Sequence, residues 1–273
     1  MESLNLTLAE SLMIISPKSN GNEMIKITLM DLLLKKALKI DILEQESRFL
    51  KRRYDAIVIS NGESSHDLAF KPHEQLLMDL IFKYGELDLK EFAKKLYGTI
   101  RASDYMDMYI RVPLVNEGYF ERQRKMILAL IPYNTYVLTD KGDELKSKIM
   151  NLLDEAEYLE KWMREDLPHA KAYLSVIGSH ILLLKNYDIG DIKRFNKKLS
   201  YIKPESNTND YYSYYLYTVP FTYLDDFDNL QSFDFLDISL LDNFDSFDDF
   251  FSDFDAGSGD SGGDGGGDGG GGD

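Results

Sequence analysis

The stretch that decides the fold is residues 114–140, which read LVNEGYFERQRKMILALIPYNTYVLTD. Its apolar start belongs to a helix that we expect to stop at Gly118, because glycine readily adopts the left-handed conformation that ends helices. Two β-type arms follow, at Tyr119–Lys125 and Tyr133–Leu138. The stretch therefore predicts a helix that leads directly into a β-hairpin.

Helical patterns lie on both sides of this unit. Thr7 and Glu10 form a capping-box pattern at the start of a first helix, and we expect Ser103 and Asp140 to cap two later ones. Further helices are predicted at residues 28–38, 73–83, 88–96, 103–116, 141–157, 158–165, 168–186 and 188–201, with short β-type runs at 39–43 and 56–60. The predicted fold class is mainly α, a multi-helix domain with one projecting β-hairpin.

The net charge of −16 belongs to the C-terminal end of the chain. Of the 31 basic residues only Lys203 lies beyond residue 202, whereas 17 of the 47 acidic residues do, so residues 1–202 hold 30 of each sign. Eleven of the 19 glycines follow Ala256. We therefore predict a folded domain over residues 1–203 and a disordered acidic tail, rich in Tyr, Phe, Asp and Gly, over residues 204–273.

Several function classes are disfavoured by composition. The chain has no cysteine, which excludes disulfides, thiolate catalysis and Cys-based zinc sites. The start, Met1–Asn5, lacks a basic region and predicts no signal peptide. The longest charge-free apolar stretch near helical length, Ala172–Leu184, has 13 residues and is too short to span a bilayer. These features favour a cytoplasmic location.

We recognise no catalytic or metal-binding motif in the sequence. The four histidines lack the His-x-x-x-His spacing of metal ligands, and His180 lies in an apolar stretch that predicts a core residue with its hydrogen bonds satisfied. Nucleophile-elbow, Walker and dinucleotide-binding patterns do not occur in residues 1–203. We therefore predict a non-catalytic protein with neither metal nor cofactor.

Residues 4–202 resemble the Golgi phosphoprotein 3 family, peripheral membrane proteins of the Golgi that have bacterial relatives. The likeness is carried by four segments in order: Leu6–Leu12, Leu29–Leu38, Leu114–Tyr119 with Tyr136–Asp140, and Leu159–Trp162 with Ile177–Leu182. The second is similar to the family's Leu-Ile-Glu-Leu-Ala-Leu-x-Gly-Arg-Leu helix. The resemblance implies a helical fold, binding of phosphatidylinositol 4-phosphate, membrane docking through the hairpin, and adaptor activity toward membrane enzymes.

The family's phosphoinositide site is not preserved at the matching positions. Two of its arginines correspond to Asp104 and Asp107 here, and a third corresponds to Ile25. Because arginine pairs with phosphate through charge-assisted hydrogen bonds, two aspartates reverse the attraction. We predict that the chain does not bind this lipid through that pocket.

The hairpin carries the best local patch of positive charge. Its first arm holds Arg122, Arg124 and Lys125, and these precede an apolar run that includes Met126, Ile127, Leu128, Leu130 and Ile131. Basic residues beside an apolar tip suit an anionic membrane surface. The alternative is that the apolar run packs on the core or in a homo-oligomer interface.

Residues 88–140 also follow the helix–turn–helix–wing order of winged-helix proteins, which makes nucleic-acid binding the alternative function. A recognition helix needs cations for the phosphates, yet Asp104 and Asp107 lie at the start of this one. The same carboxylates, three residues apart, form either a cation or acid–base pair or a solvated, Arg-paired face.

The tail has its own pattern. Leu224–Asp255 mixes aspartate with apolar residues, and Phe227, Leu230, Phe233 and Leu236 recur every three residues. Such a mixture is typical of a disordered segment that binds a protein partner, and the alternative is that it only keeps the chain soluble. The sequence as a whole predicts a peripheral membrane-associated or protein-interaction module.

Overall fold

The computed structural model describes residues 5–46, 53–127 and 131–184. Helices and strands alternate in the order α1 Leu8–Ile15, α2 Gly21–Leu34, β1 Leu38–Glu46, β2 Arg53–Asn61, α3 Pro72–Tyr84, β3 Leu87–Asp88, α4 Leu89–Thr99, α5 Ala102–Tyr105, a π segment Met106–Arg111, α6 Val112–Asn116, β4 Phe120–Ile127, β5 Ile131–Leu138, α7 Asp140–Asp154, a 3-10 turn Glu155–Tyr158, α8 Leu159–Glu165, α9 Leu167–Ile177 and a 3-10 segment Gly178–Leu183. These residues are mainly helical, which confirms the predicted class. The helix predicted at 188–201 and the tail lie outside them.

The two N-terminal helices form the centre of the core. The side chain of Thr7 accepts a hydrogen bond from the amide of Glu10, and the Glu10 carboxylate accepts one from the Thr7 amide, so the predicted capping box is confirmed. Nearly every residue of α2 is buried, as expected for a helix that is apolar on most sides. A Cβ atom at Gly21 would lie 2.1 Å from the carbonyl oxygen of Ala102, which makes glycine necessary where α2 meets α5.

The predicted 28–38 helix is wrong at both ends, because α2 begins at Gly21 and stops at Leu34. Asn20 caps its start by accepting a hydrogen bond from the amide of Glu23. Lys36 then adopts a left-handed conformation with φ 55°, and this turns the chain into β1. β1 pairs antiparallel with β2, which pairs in turn with the short β3.

Three other predicted boundaries moved for local reasons. The helix that begins at Ala102 leaves Ser103 inside its first turn, so Ser103 is not its cap. The Thr139 hydroxyl, rather than Asp140, accepts the capping hydrogen bond of α7, from the amide of Gly142. The predicted 168–186 helix ends at Ile177, because Gly178 has φ 54° and the chain tightens into a 3-10 segment.

The helix before the hairpin contains a π segment. Pro113 has no N–H to donate to the carbonyl of Tyr109, and the turns before it widen, so that the amide of Val112 bonds to the Asp107 carbonyl. The Tyr105 ring is fully buried and anchors this helix against α2. Within the described residues, no helix has the length and apolarity needed to cross a membrane.

Candidate functional site

The base of the β4–β5 hairpin is closed by hydrogen bonds that the local sequence dictates. Gly118 has φ 81° and ends α6 in a Schellman turn, in which the amide of Tyr119 donates to the carbonyl of Leu114 at 2.9 Å. The Thr139 hydroxyl donates to the Gly118 carbonyl at 2.7 Å. A glycine after one helix and a threonine before the next therefore hold the two strands at their base.

The hairpin strands pair over their full length, as predicted from the two β-type arms. The register joins Phe120 to Leu138 at the base and Ile127 to Ile131 at the far end. Because side chains alternate along a strand, Arg122, Arg124 and Met126 share one face of β4, and Lys125 lies on the other.

The basic residues predicted for the hairpin are exposed to solvent. Arg122, Arg124 and Lys125 all lie at the surface, and the Met126 side chain is 54% exposed. The one acidic residue on β4 is Glu121, and β5 contains no charged residue. Ile127 and Ile131 are strand residues whose side chains the structure does not describe, and Leu128 and Leu130 lie outside the described residues.

A buried arginine connects the hairpin to the helix before it. The Arg111 guanidinium lies over the Tyr136 ring of β5, 4.9 Å from its centroid, and pairs with the Asp107 carboxylate. Its second nitrogen contacts the sulfur of Met106 at 3.6 Å. Sequence reasoning named Asp107 but missed this connection, because nothing in the sequence signals that Arg111 meets a strand 25 residues later.

The resemblance places the family's lipid-pocket positions at Ile25, Asp104 and Asp107, and none of these residues is a cation. Ile25 is fully buried, Asp104 is exposed, and Asp107 is neutralised by Arg111. The Arg111 side chain is only 13% exposed, so this cation next to the pocket positions is already engaged. The Arg-paired interpretation of the carboxylates therefore holds for Asp107.

A second cluster of charges lies in the core, where α1, α2 and α3 meet. Lys35 Nζ donates to Glu74 at 2.6 Å and to Asp31 at 3.0 Å, and Lys71 Nζ donates to Glu10 at 3.0 Å. The three carboxylates are almost fully buried, whereas each lysine keeps about a third of its side chain in solvent. Burial alone would lower the pKa of Lys35, but attraction to Asp31 and Glu74 outweighs it and raises that pKa.

Neutral polar groups extend this buried charge cluster. His73 Nε2 lies 2.9 Å from the Thr7 hydroxyl, and the Tyr105 hydroxyl donates to Thr28 at 3.0 Å. Burial lowers the pKa of His73 and raises that of Tyr105, so both are neutral near pH 7. Sequence reasoning missed this cluster, because its partners are up to 77 residues apart and no local pattern relates them.

The prediction that His180 is a core residue with its hydrogen bonds satisfied is confirmed. His180 Nε2 lies 2.8 Å from the Ser11 hydroxyl, and its Nδ1 lies 3.1 Å from the Ile177 carbonyl oxygen. Burial lowers its pKa as well. In the described part of the chain, no group of three or more His, Asp or Glu residues has the arrangement of a metal site.

The winged-helix order is present, with a difference in the sheet. α4, the 102–116 helix and the hairpin follow one another as predicted, but β3 pairs with β2 and not with the hairpin. The exposed start of the second helix carries Arg101 as its N-cap, followed by Ser103 and the acidic Asp104, so a single cation there is offset by a carboxylate.

A scan against protein-family models finds no match for the chain, and a search of the curated proteins finds no significant match. The resemblance to the Golgi phosphoprotein 3 family therefore rests on the motifs quoted above and stays a prediction.

Proposed function

We propose that this chain is a non-catalytic peripheral membrane module that docks on anionic bilayers through the β4–β5 hairpin. The observation that carries the proposal is the set of exposed cations on β4, beside an exposed methionine at the far end of the strand. Each basic residue near an anionic leaflet contributes about 1 kcal/mol of attraction at moderate salt, so Arg122 and Arg124, which share a face with Met126, act together as a reversible anchor.

The rigid base of the hairpin supports this role. The Gly118–Thr139 hydrogen bond and the Arg111–Tyr136 contact fix the strands to the helical core; Arg122 lies opposite Tyr136, and Arg124 and Lys125 lie further toward the far end. Membrane contact at Met126 therefore needs no rearrangement of the core.

The local charge argues against a dedicated phosphoinositide pocket. Asp104 and Asp107 stand at the family's arginine positions, and Arg111 is held by Asp107 and Tyr136. We expect binding that follows the total negative charge of the bilayer, and not the presence of phosphatidylinositol 4-phosphate.

Vesicle co-sedimentation tests the proposal. The full chain should pellet with vesicles that contain phosphatidylserine and stay in solution with pure phosphatidylcholine. Arg122→Gln with Arg124→Gln should abolish pelleting, whereas the matched pair Lys90→Gln with Lys94→Gln, two exposed cations on α4, should not. If the two double variants lost pelleting to the same extent, docking through the hairpin would be refuted. If phosphatidylinositol 4-phosphate increased pelleting at equal vesicle charge, the prediction that the chain lacks the family's lipid pocket would be wrong.

Binding to nucleic acid is the second candidate, favoured by the helix–turn–helix–wing order. Salt-dependent retention on duplex DNA that is lost with the Arg122 and Arg124 variant, together with no vesicle binding, would support it instead.

A further inference from the structure

Within the described residues, no acidic side chain forms an ion pair with the hairpin cations Arg122, Arg124 and Lys125, and the Glu121 carboxylate accepts a hydrogen bond from the Gln123 amide. Lys90 and Lys94 on α4 are also exposed without a described ion pair, but the acidic Glu91 lies between them on the same helix. On β4, Arg122 and Arg124 share one face with the exposed Met126, and Glu121 lies on the other face. This face therefore suits a segment that is both acidic and apolar.

The chain itself contains a segment of complementary composition. Residues 224–255 hold eleven aspartates and eight phenylalanines and have no lysine, arginine or histidine. Aspartate suits the arginines of β4, and phenylalanine suits the exposed side chain of Met126 on the same face.

The connection between them is long enough. Residues 185–223 separate Leu184, the last described residue, from this segment, and these 39 residues reach at most about 130 Å when extended. The hairpin strands have eight residues each and are about 27 Å long. The 3-10 segment before Leu184 also contacts α7, the helix that follows β5.

We infer that residues 224–255 bind the basic face of the β4–β5 hairpin in the same molecule and compete there with anionic membranes. The inference rests on the proposed function, since it concerns the regulation of the same surface. In this proposal, the bound tail lowers the affinity of the hairpin for membranes. A more highly charged bilayer, or another partner of the tail, displaces the tail and restores membrane binding.

The size of the effect follows from tethering. A linked segment reaches an effective concentration of about 1 mM, so a contact with a Kd near 0.2 mM would weaken vesicle binding about sixfold. Both contacts are electrostatic, and salt should weaken each of them.

Two matched variants of the full chain test the inference. The first changes Asp245, Asp248, Asp249 and Asp253 to Asn inside the segment, and the second changes Asp260, Asp264, Asp268 and Asp273 to Asn in the glycine-rich end. Each removes four negative charges and takes the net charge from −16 to −12. We expect the first to bind phosphatidylserine vesicles about threefold more tightly than the unchanged chain, and the second to change little.

The outcomes separate the two proposals. Equal gains in both variants would mean that net charge alone matters, and would overturn the inference. No gain in either, while the unchanged chain still pellets, would overturn the inference and leave the membrane proposal standing. No pelleting by any of the proteins would overturn both.

Carbodiimide cross-linking reports the contact without a membrane. Lys125 lies on the face opposite Arg122 and Arg124, so the test uses an Arg124→Lys variant, whose new amine should couple to aspartates of residues 224–255 more often than the amines of Lys125 and of the exposed Lys161. Mixing isotope-labelled and unlabelled protein distinguishes links within one molecule from links between two. Links found only between molecules, or equal yields at Lys161, would overturn the inference.

Discussion

The Arg111 guanidinium lies over the Tyr136 ring, 4.9 Å from its centroid, and so joins the π segment to the second strand of the hairpin. The same guanidinium neutralises Asp107. One side chain thus neutralises Asp107 and fixes the base of the surface that carries the exposed cations.

The first prediction concerns this contact. Arg111→Met removes the pairing with Asp107 and the cation–π contact, and should lower the free energy of unfolding by about 1–2 kcal/mol. Amide hydrogen exchange should quicken at residues 120–122 and 136–138 and stay unchanged in α3. Uniformly faster exchange across the domain would contradict a local role for Arg111. Tyr136→Leu, which keeps Arg111 paired with Asp107, provides the matched comparison.

The second prediction concerns the buried charge cluster. Lys35→Met leaves the Asp31 and Glu74 carboxylates without their counter-ion, and should lower the free energy of unfolding by about 2–3 kcal/mol in urea titrations. The loss stays below the value for a fully buried pair because Lys35 is 34% exposed. Lys39→Met removes an exposed pair with Asp41 and should leave the urea midpoint unchanged. Similar losses in both variants would contradict the argument.

The third prediction is a loss of stability in mild acid. Burial lowers the pKa of His73 and of His180 below 6.5, so between that value and the folded pKa the unfolded chain binds protons that the folded chain does not. The free energy of unfolding should therefore fall as pH drops below about 6.5, by up to about 1.4 kcal/mol per pH unit for each histidine.

Urea unfolding between pH 7.5 and 5.5 measures this dependence. His73→Gln with His180→Gln should flatten the curve in that interval, and each single variant should flatten it in part. If the free energy of unfolding of the double variant depended on pH as steeply as before, other groups would be responsible for the dependence.

The fourth prediction concerns the turn after α2. Lys36 has φ 55°, a conformation that costs a residue with a Cβ atom more than glycine, so Lys36→Gly should raise the free energy of unfolding by about 0.5–1 kcal/mol. Gly62→Ala should do the opposite, because its Cβ would lie 2.1 Å from the Lys36 carbonyl oxygen. Thermal unfolding of the two variants checks the pair, and a lower midpoint for Lys36→Gly would contradict the strain argument.

Local chemistry made much of the fold predictable. The Thr7 capping box, the two arms of the hairpin and the stop at Gly118 all depend on residues within a few positions of one another. The start of α2 was missed because the pattern predicted a helix only from residue 28, whereas Asn20 caps one that begins at Gly21. Glycine is required at position 21 because the backbone of Ala102 packs closely against it, and residues near Gly21 in the sequence do not indicate this tertiary contact.

The candidate site was predictable only in part. The cations of β4 could be placed on a hairpin from the sequence, and the structure gives their exposure. The contact between Arg111 and Tyr136 and the pairing of Lys71 with Glu10, 61 residues apart, depend on how helices pack, which short-range patterns do not encode.

The hairpin is a two-stranded sheet, so in the described residues each of its strands has one outer edge without a neighbour. Such edges template pairing with other chains unless charge or proline blocks them. Lys125 on β4 and Pro132 on β5 lie near the far end, where that hazard is greatest. We therefore expect Lys125 and Pro132 to oppose aggregation through these edges. Variants that neutralise the cations of the hairpin should be checked for fibrils before any loss of binding is interpreted.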